Sequence, residues 1–181
     1  MLFHDLATER LLLSCISAAD REFIFSQFSD DAVNRYLFDA EPLVDIRGAD
    51  EIIAHYLRPE PRQQHRWILV KKDDGQKLGT CGFHFWDAGS RTCEVGYDLK
   101  AAHWGKGYMS EAMRAILAFA RDEMQVRQIN ACIYPDNRRS VALAEKFGFV
   151  FSGQSVTLQF RGKDYIHRIY TCTVGEGQFP F

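Results

Sequence analysis

Residues 92–120 constrain the fold more than any other stretch of this chain. Thr92 to Leu99 reads as a strand, and a short loop carrying Gly105 and Gly107 follows it. Immediately beyond, Met109, Ala112, Met113, Ile116, Leu117 and Ala120 recur at i, i+3, i+4, i+7, i+8 and i+11, one continuous helical stripe. A strand, a glycine loop and a one-sided helix in direct succession imply a sheet with that helix packed upon it.

The neighbouring segments fit this reading. Thr8 to Leu13 offers a short apolar strand, and Ala18 to Leu57 is polar and helix-leaning, with Asp20, Asp30 and Asp45 as caps. Arg58-Pro59-Glu60-Pro61 ends that region, because each proline pushes its predecessor out of the helical basin. Trp67 to Val70, Leu78 to Trp86 and Thr92 to Leu99 form a run of strands separated by turns at Asp73-Asp74-Gly75-Gln76 and Asp87-Ala88-Gly89-Ser90. Arg127 to Tyr134 alternates as a further strand, and Pro135-Asp136-Asn137 opens a helix that Gly148 stops. Gln154 to Phe160 and Tyr165 to Val174 read as a closing hairpin, with Gly175 to Phe181 as a tail. The expected class is α/β or α+β, a sheet with helices packed on it.

Composition bounds the function. The 181 residues suit one domain, with an ordered core over about residues 8–174. Lys and Arg total 22 against 24 Asp and Glu, a net charge of −2, which argues against nucleic acid as a partner. No apolar run approaches the ~20 residues of a membrane span, and the amino terminus lacks a secretion signal's features. Five scattered cysteines without a C-x-x-C pair fit reduced thiols. The six histidines show no H-x-x-x-H spacing, so no metal is expected. A cytoplasmic protein is the expectation.

The chemistry points to the glycine loop. In Trp104-Gly105-Lys106-Gly107-Tyr108-Met109, a helix amino terminus with free N–H groups would suit a phosphate or pyrophosphate. Glycines there let the backbone approach the anion closely. The plainer alternative is a tight turn before a core helix. The stretch is neither a Walker sequence nor a dinucleotide fingerprint.

These residues carry a family resemblance. Glu94-Val95-Gly96-Tyr97-Asp98-Leu99 followed by Trp104-Gly105-Lys106-Gly107-Tyr108-Met109-Ser110-Glu111-Ala112 resembles the acetyl-CoA segment of the GNAT N-acetyltransferases. Asn137-Arg138-Arg139-Ser140 with Glu145-Lys146-Phe147-Gly148-Phe149 resembles the second signature of that family. The opening Thr-Glu-Arg-Leu-Leu-Leu and the closing Gly-Lys-Asp-Tyr hairpin are similar to the branch of ribosomal-protein N-terminal acetyltransferases. The resemblance implies a mixed, mostly antiparallel sheet, splayed open at an acetyl-CoA cleft, with helices on both faces. It places the pantetheine arm against backbone groups near Asp98 and Leu99. The pyrophosphate would meet the amides of Gly105, Lys106, Gly107, Tyr108 and Met109, beside Trp104. Asn137 would bond the pantetheine amide, Ser140 would lie near the sulfur, and Lys146, Lys106 and Arg138 would reach phosphates.

The chain departs from the family pattern at two positions. Ala102 stands where the loop usually begins with Gln or Arg, and Ala144 stands where many members carry a thiolate-protonating tyrosine. The second departure leaves Ser140 or water as the acid.

Strand alternation adds an independent clue. A period of two puts Cys93, Val95, Tyr97 and Leu99 on one face and Glu94, Gly96 and Asp98 on the other. The second face is either a solvent-facing edge with a glycine bulge or a substrate floor on which Glu94 takes a proton from an ammonium. The expected activity is acetyl-CoA-dependent N-acetylation of a primary amine by direct attack, with Glu94 and Ser140 catalytic. The acceptor would be a protein N-terminus, such as that of a ribosomal protein, or a small amine, and the enzyme a monomer or homodimer. A CoA-binding sensor of the same fold without turnover is the alternative.

Overall fold

The computed structural model describes residues 2–173; the expected tail and the last residue of the expected final strand, Val174, lie outside the described residues. The strands are β1 (Leu6–Ala7), β2 (Leu11–Cys15), β3 (His65–Lys71), β4 (Lys77–Asp87), β5 (Thr92–Leu99), β6 (Gln128–Ile133), β7 (Val150–Phe160) and β8 (Lys163–Thr173). The helices are α1 (Arg21–Phe28), α2 (Asp31–Asn34), α3 (Ile46–Tyr56), α4 (Tyr108–Asp122) and α5 (Arg138–Lys146). All the strands join one sheet in the order β1-β2-β3-β4-β5-β6-β8-β7. Every neighbouring pair is antiparallel except β5 with β6. This is the mixed, mostly antiparallel sheet with covering helices that the sequence leads one to expect.

Period-two alternation splits the core between the two faces. In β3, Trp67 and Leu69 join Cys81, Phe83, Met113, Ile116 and Phe147 on the face covered by α4 and α5. Ile68 points the other way, into a smaller cluster with Ile24 of α1 and Ala49, Ile53 and Tyr56 of α3. The α4 stripe is buried throughout, with Ala112, Met113, Ile116, Leu117 and Ala120 all at 0% exposure.

Local chemistry explains most helix boundaries. Asp30 accepts from the Ala32 and Val33 amides to start α2, and Asp45 accepts from the Arg47 amide to start α3. Asp20 does not cap by its side chain. Its carboxylate instead accepts from the Ser17 amide and pairs with Lys77. β7 begins earlier than the sequence suggests, at Val150, and its register with β8 shifts between Phe151 and Ser155. That irregularity hides the strand from a strict alternation rule.

β5 and β6 pair only through Thr92↔Gln128, Cys93↔Ile129 and Glu94↔Asn130. Beyond Glu94 the strands run on without meeting, so the sheet opens into a wedge.

Candidate active site

The glycine loop has the geometry an anion site needs. Gly105 lies at φ +74° and Gly107 at φ +81°, left-handed backbone that side chains with a Cβ rarely adopt. The first helical bond of α4 runs from the Glu111 N–H to the Gly107 carbonyl. The amides of Tyr108, Met109 and Ser110 therefore precede the helical ladder and point out of its end. Lys146 of α5 donates to the Ser110 hydroxyl at 3.3 Å, which brings its ammonium to the same helix end. Lys106 and Arg138 are exposed. The Trp104 indole donates to the Leu99 carbonyl at 2.7 Å, and the Arg139 guanidinium stacks 4.4 Å from the Trp104 ring centroid.

A brace from the start of the chain holds this loop. Glu111 accepts from the Thr8 hydroxyl at 2.6 Å, the Arg10 amide at 2.7 Å and Arg10 Nε at 2.7 Å. Arg10 also reaches the Lys106 carbonyl at 3.1 Å. Sequence reasoning assigned Thr8 and Arg10 to a strand and Glu111 to a motif, but gave no sign that they meet.

The open wedge exposes one edge of β5. The Lys100 amide donates to the Leu78 carbonyl, and the Asp98 carbonyl lies against Gly79. Antiparallel alternation therefore turns the backbone groups of Gly96 and Asp98 toward β4, and those of Tyr97 and Leu99 into the wedge. The Asp98 side chain is committed too. It accepts from Gln27 at 2.6 Å, from the Thr80 hydroxyl at 2.5 Å and from Arg66 at 3.1 Å. Burial pushes the Asp98 carboxyl up, against the pull of those donors. Of the two residues expected to meet pantetheine, Leu99 faces the wedge and Asp98 does not; the residue that joins Leu99 on that edge is Tyr97.

Side chains from opposite faces of β5 reach one cavity of about 950 Å³, whose walls include Glu94, Tyr97, Asn137 and Ser140. On the α5 side, the Tyr97 hydroxyl lies 2.9 Å from Ser140 Oγ. Burial pushes the Tyr97 phenol up to about 12, so it stays protonated at neutral pH. Asn137 caps α5 by accepting from the Ser140 amide at 3.3 Å. The serine hydroxyl is thus left to the tyrosine. Ala144 is 1% exposed and belongs to the core, so that position has no room for a tyrosine.

On the opposite face, Glu94 accepts no hydrogen bond from any described residue. Burial first, and then the charge of Asp39, push its carboxyl above the usual range. His84 stands directly across from Glu94 in the β4–β5 register. Its Nε2 lies 3.2 Å from Arg66 Nη2 and 3.0 Å from where a Cβ on Gly96 would sit. Gly96 therefore makes room for the imidazole. Burial and then the Arg66 charge push His84 down to about 3, which keeps it neutral.

Residues 10–150 match the family pattern described as an acetyltransferase (GNAT) domain. The chain belongs to the GNAT acetyltransferase family. An uncharacterised N-acetyltransferase of Bacillus subtilis, YoaA, is 31% identical over 153 residues, 84% of this chain and 86% of that protein. The ribosomal-protein-serine acetyltransferase of Escherichia coli is 25% identical over 100 residues, 55% of each chain. The spermidine N-acetyltransferase of Vibrio cholerae, solved in complex with CoA and spermine, superposes with a TM-score of 0.77 at 18% identity. It covers 89% of this chain and 94% of that one. The GNAT fold accounts for the wedge, and this chain is an acetyltransferase of that family. Among the described residues, no helix is long and apolar enough to cross a membrane.

Proposed function

We propose that this acetyltransferase moves an acetyl group from acetyl-CoA to a primary amine by direct attack, with Glu94 as general base and the Tyr97–Ser140 hydroxyl pair as proton source. The observation that carries this reading is that the two sets approach one cavity from opposite faces of β5. A thioester in the wedge would have an unpartnered carboxylate on the amine side and a hydroxyl pair on the sulfur side.

The residues fit acetyl-CoA along its length. The Tyr108, Met109 and Ser110 amides and Lys146 suit the pyrophosphate. The Tyr97 backbone groups and the Leu99 N–H suit the amides of the pantetheine arm, as a strand suits a neighbouring strand, while the Leu99 carbonyl is held by the Trp104 indole. Asn137 suits the same arm, since its cap uses Oδ1 and leaves its NH₂ free. The thioester supplies an activated acyl carbon and a thiol leaving group. Glu94 holds the proton that the amine sheds, and Ser140, backed by Tyr97, returns one to sulfur. The C–S bond breaks as the C–N bond forms, and no covalent acyl-enzyme is required. The five free thiols suit a reducing, cytoplasmic setting.

The opening Thr8–Leu13 segment and the partial match to the E. coli enzyme support a place near the ribosomal-protein branch, with a protein N-terminus as one acceptor class. CoA release measured against a panel of amines, in the wild type and in Glu94→Gln, tests the reading. Turnover on at least one amine that collapses in Glu94→Gln, with acetyl-CoA affinity retained, supports it. Acetyl-CoA binding with no turnover on any amine would convert the protein into a sensor.

A further inference from the structure

The acceptor side of the cavity has a charge pattern of its own. Asp39, Glu51 and Glu94 all line it, and none of the three carboxylates has a hydrogen bond or ion pair with a described residue. Asp39 is close enough to act on Glu94, Tyr56 and Cys132 through its charge, so it addresses the interior although it stands on an exposed loop. Among the described lining residues, Arg66 is the one Lys or Arg, and it is tied to Asp98. Of the lining histidines, burial pushes His55 down and His84 down to about 3, and His167 lies with its Nδ1 3.1 Å from the Tyr165 carbonyl. Glu41, which also lines the cavity, is spent on Arg161 of the β7–β8 turn.

Part of the remaining wall is aromatic, with Tyr36, Phe38 and Tyr134 lining the cavity. Phe38 stacks on Tyr165 with ring centroids 3.7 Å apart and meets Tyr134 edge-on at 5.0 Å. Tyr36 packs against the other side of Tyr134 at 6.2 Å. Aromatic faces bind ammonium groups and the methylenes between them. A monocation entering this cavity would be matched by Glu94 and leave two carboxylates unanswered. A negatively charged or zwitterionic amine would be repelled.

Building on the acetyl-transfer reading, we propose that the acceptor is an amine bearing a second positive charge. Glu94 receives the reacting ammonium, while Asp39, with Glu51 on the same cavity wall, holds the distal cation beside the lining aromatics. The transfer balances: the reacting ammonium gives one proton to Glu94, the freed amine takes the acetyl carbon from sulfur, and the thiolate takes a proton from the hydroxyl pair, which the second proton shed by the acylated nitrogen replaces while the Glu94 proton leaves to solvent. The distal cation keeps its protons throughout. Two like charges so placed also separate their duties, since Asp39 raises the basicity of Glu94 without sharing its proton.

The test compares butylamine with diaminobutane, which share a carbon chain and differ by one positive charge, and adds a short peptide with a neutral N-terminal residue. Wild-type kcat/KM should favour the diamine by about tenfold or more, as one partly screened charge pair allows. In Asp39→Asn that ratio should fall toward one, through KM, and in Asp39→Lys it should invert. Asp39→Glu should restore it. Glu51→Gln should lower the ratio less, and raised salt should erode it in the wild type and in Asp39→Glu but leave Asp39→Asn unchanged. Equal use of both amines, or a preference for the neutral peptide, overturns the dication proposal and leaves acetyl transfer standing. Turnover of none of them, with acetyl-CoA bound, overturns both together.

Discussion

On the α4/α5 side of β5, the site is made largely from main chain: two left-handed glycines, three helix-end amides and a bare strand edge. On the α1/α3 side it is made from side chains brought by separate segments, with Glu94 from β5, His84 from β4, Asp39 from the loop after α2 and Glu51 from α3. On the proposed reading, the first arrangement would meet what every acetyl-CoA presents, and the second would meet one acceptor. A backbone site survives many substitutions that keep its glycines, whereas a side-chain site changes character with a single charge. The two halves should therefore fail differently when altered.

The largest effect should come from the acceptor half. Glu94→Gln keeps the shape of the side chain but removes its ability to take a proton, so turnover should fall by about 10²–10⁴-fold. Calorimetry should find acetyl-CoA affinity little changed. If affinity falls with turnover, the two halves are not separable. The pH profile sharpens the same contrast. A base whose pKa is raised works only above that value, so kcat/KM should rise with pH at values higher than the ordinary carboxylate range. Removing the like charge in Asp39→Asn favours ionised Glu94, and the rising limb should move to lower pH.

Gly107→Val should do the opposite. Left-handed backbone costs a branched residue about 1–2 kcal/mol, and a Cβ there would meet the Arg10 guanidinium at 3.4 Å. Acetyl-CoA affinity should drop about tenfold or more. The pH profile at saturating acetyl-CoA should keep its shape. Unchanged affinity in a folded variant would break the assignment of the phosphate end.

Tyr97→Phe and Ser140→Ala should each lower turnover by about tenfold. The effect is modest because a thiol with a pKa near ~8.5 is already a fair leaving group. The double variant should be no worse than either single one, since the hydroxyls act as a pair. Additive losses would separate them. Asn137→Ala should cost folding about 1 kcal/mol for a lost cap, read by chemical denaturation. Ser140→Ala should leave stability nearly untouched, because Asn137, not Ser140, satisfies the helix amide.

What the sequence discloses follows the same division. The strand from Thr92 to Leu99 matches β5 end to end, and the stripe from Met109 to Ala120 matches α4. Asp30 and Asp45 cap as expected. All of these are written in neighbouring residues: a period, a glycine, a short polar side chain before a helix. Tyr97 was legible only as one apolar member of an alternating strand. Its hydroxyl acquires a partner because α5 returns Ser140 from 43 positions away. The family resemblance places Asp98 beside the pantetheine arm, but neither it nor the strand pattern says which edge the Asp98 backbone faces. That depends on the pairing with β4. Arg10 and Glu111 lie 101 positions apart and meet through two free ends of local structure. Asp39 sits in a loop with no period at all, so only its placement over the cavity gives it meaning.

The three-pair seam between β5 and β6 leaves an isotopic signature. Along β5, the amides of Gly96 and Asp98 are answered by β4, while those of Tyr97 and Leu99 face the wedge. In deuterated water the first pair should resist labelling, and the second should take up label at rates set by solvent access rather than by opening of the sheet. Acetyl-CoA should slow Tyr97 and Leu99 and leave their neighbours as they were, so alternate residues of one strand would report the occupancy of the wedge.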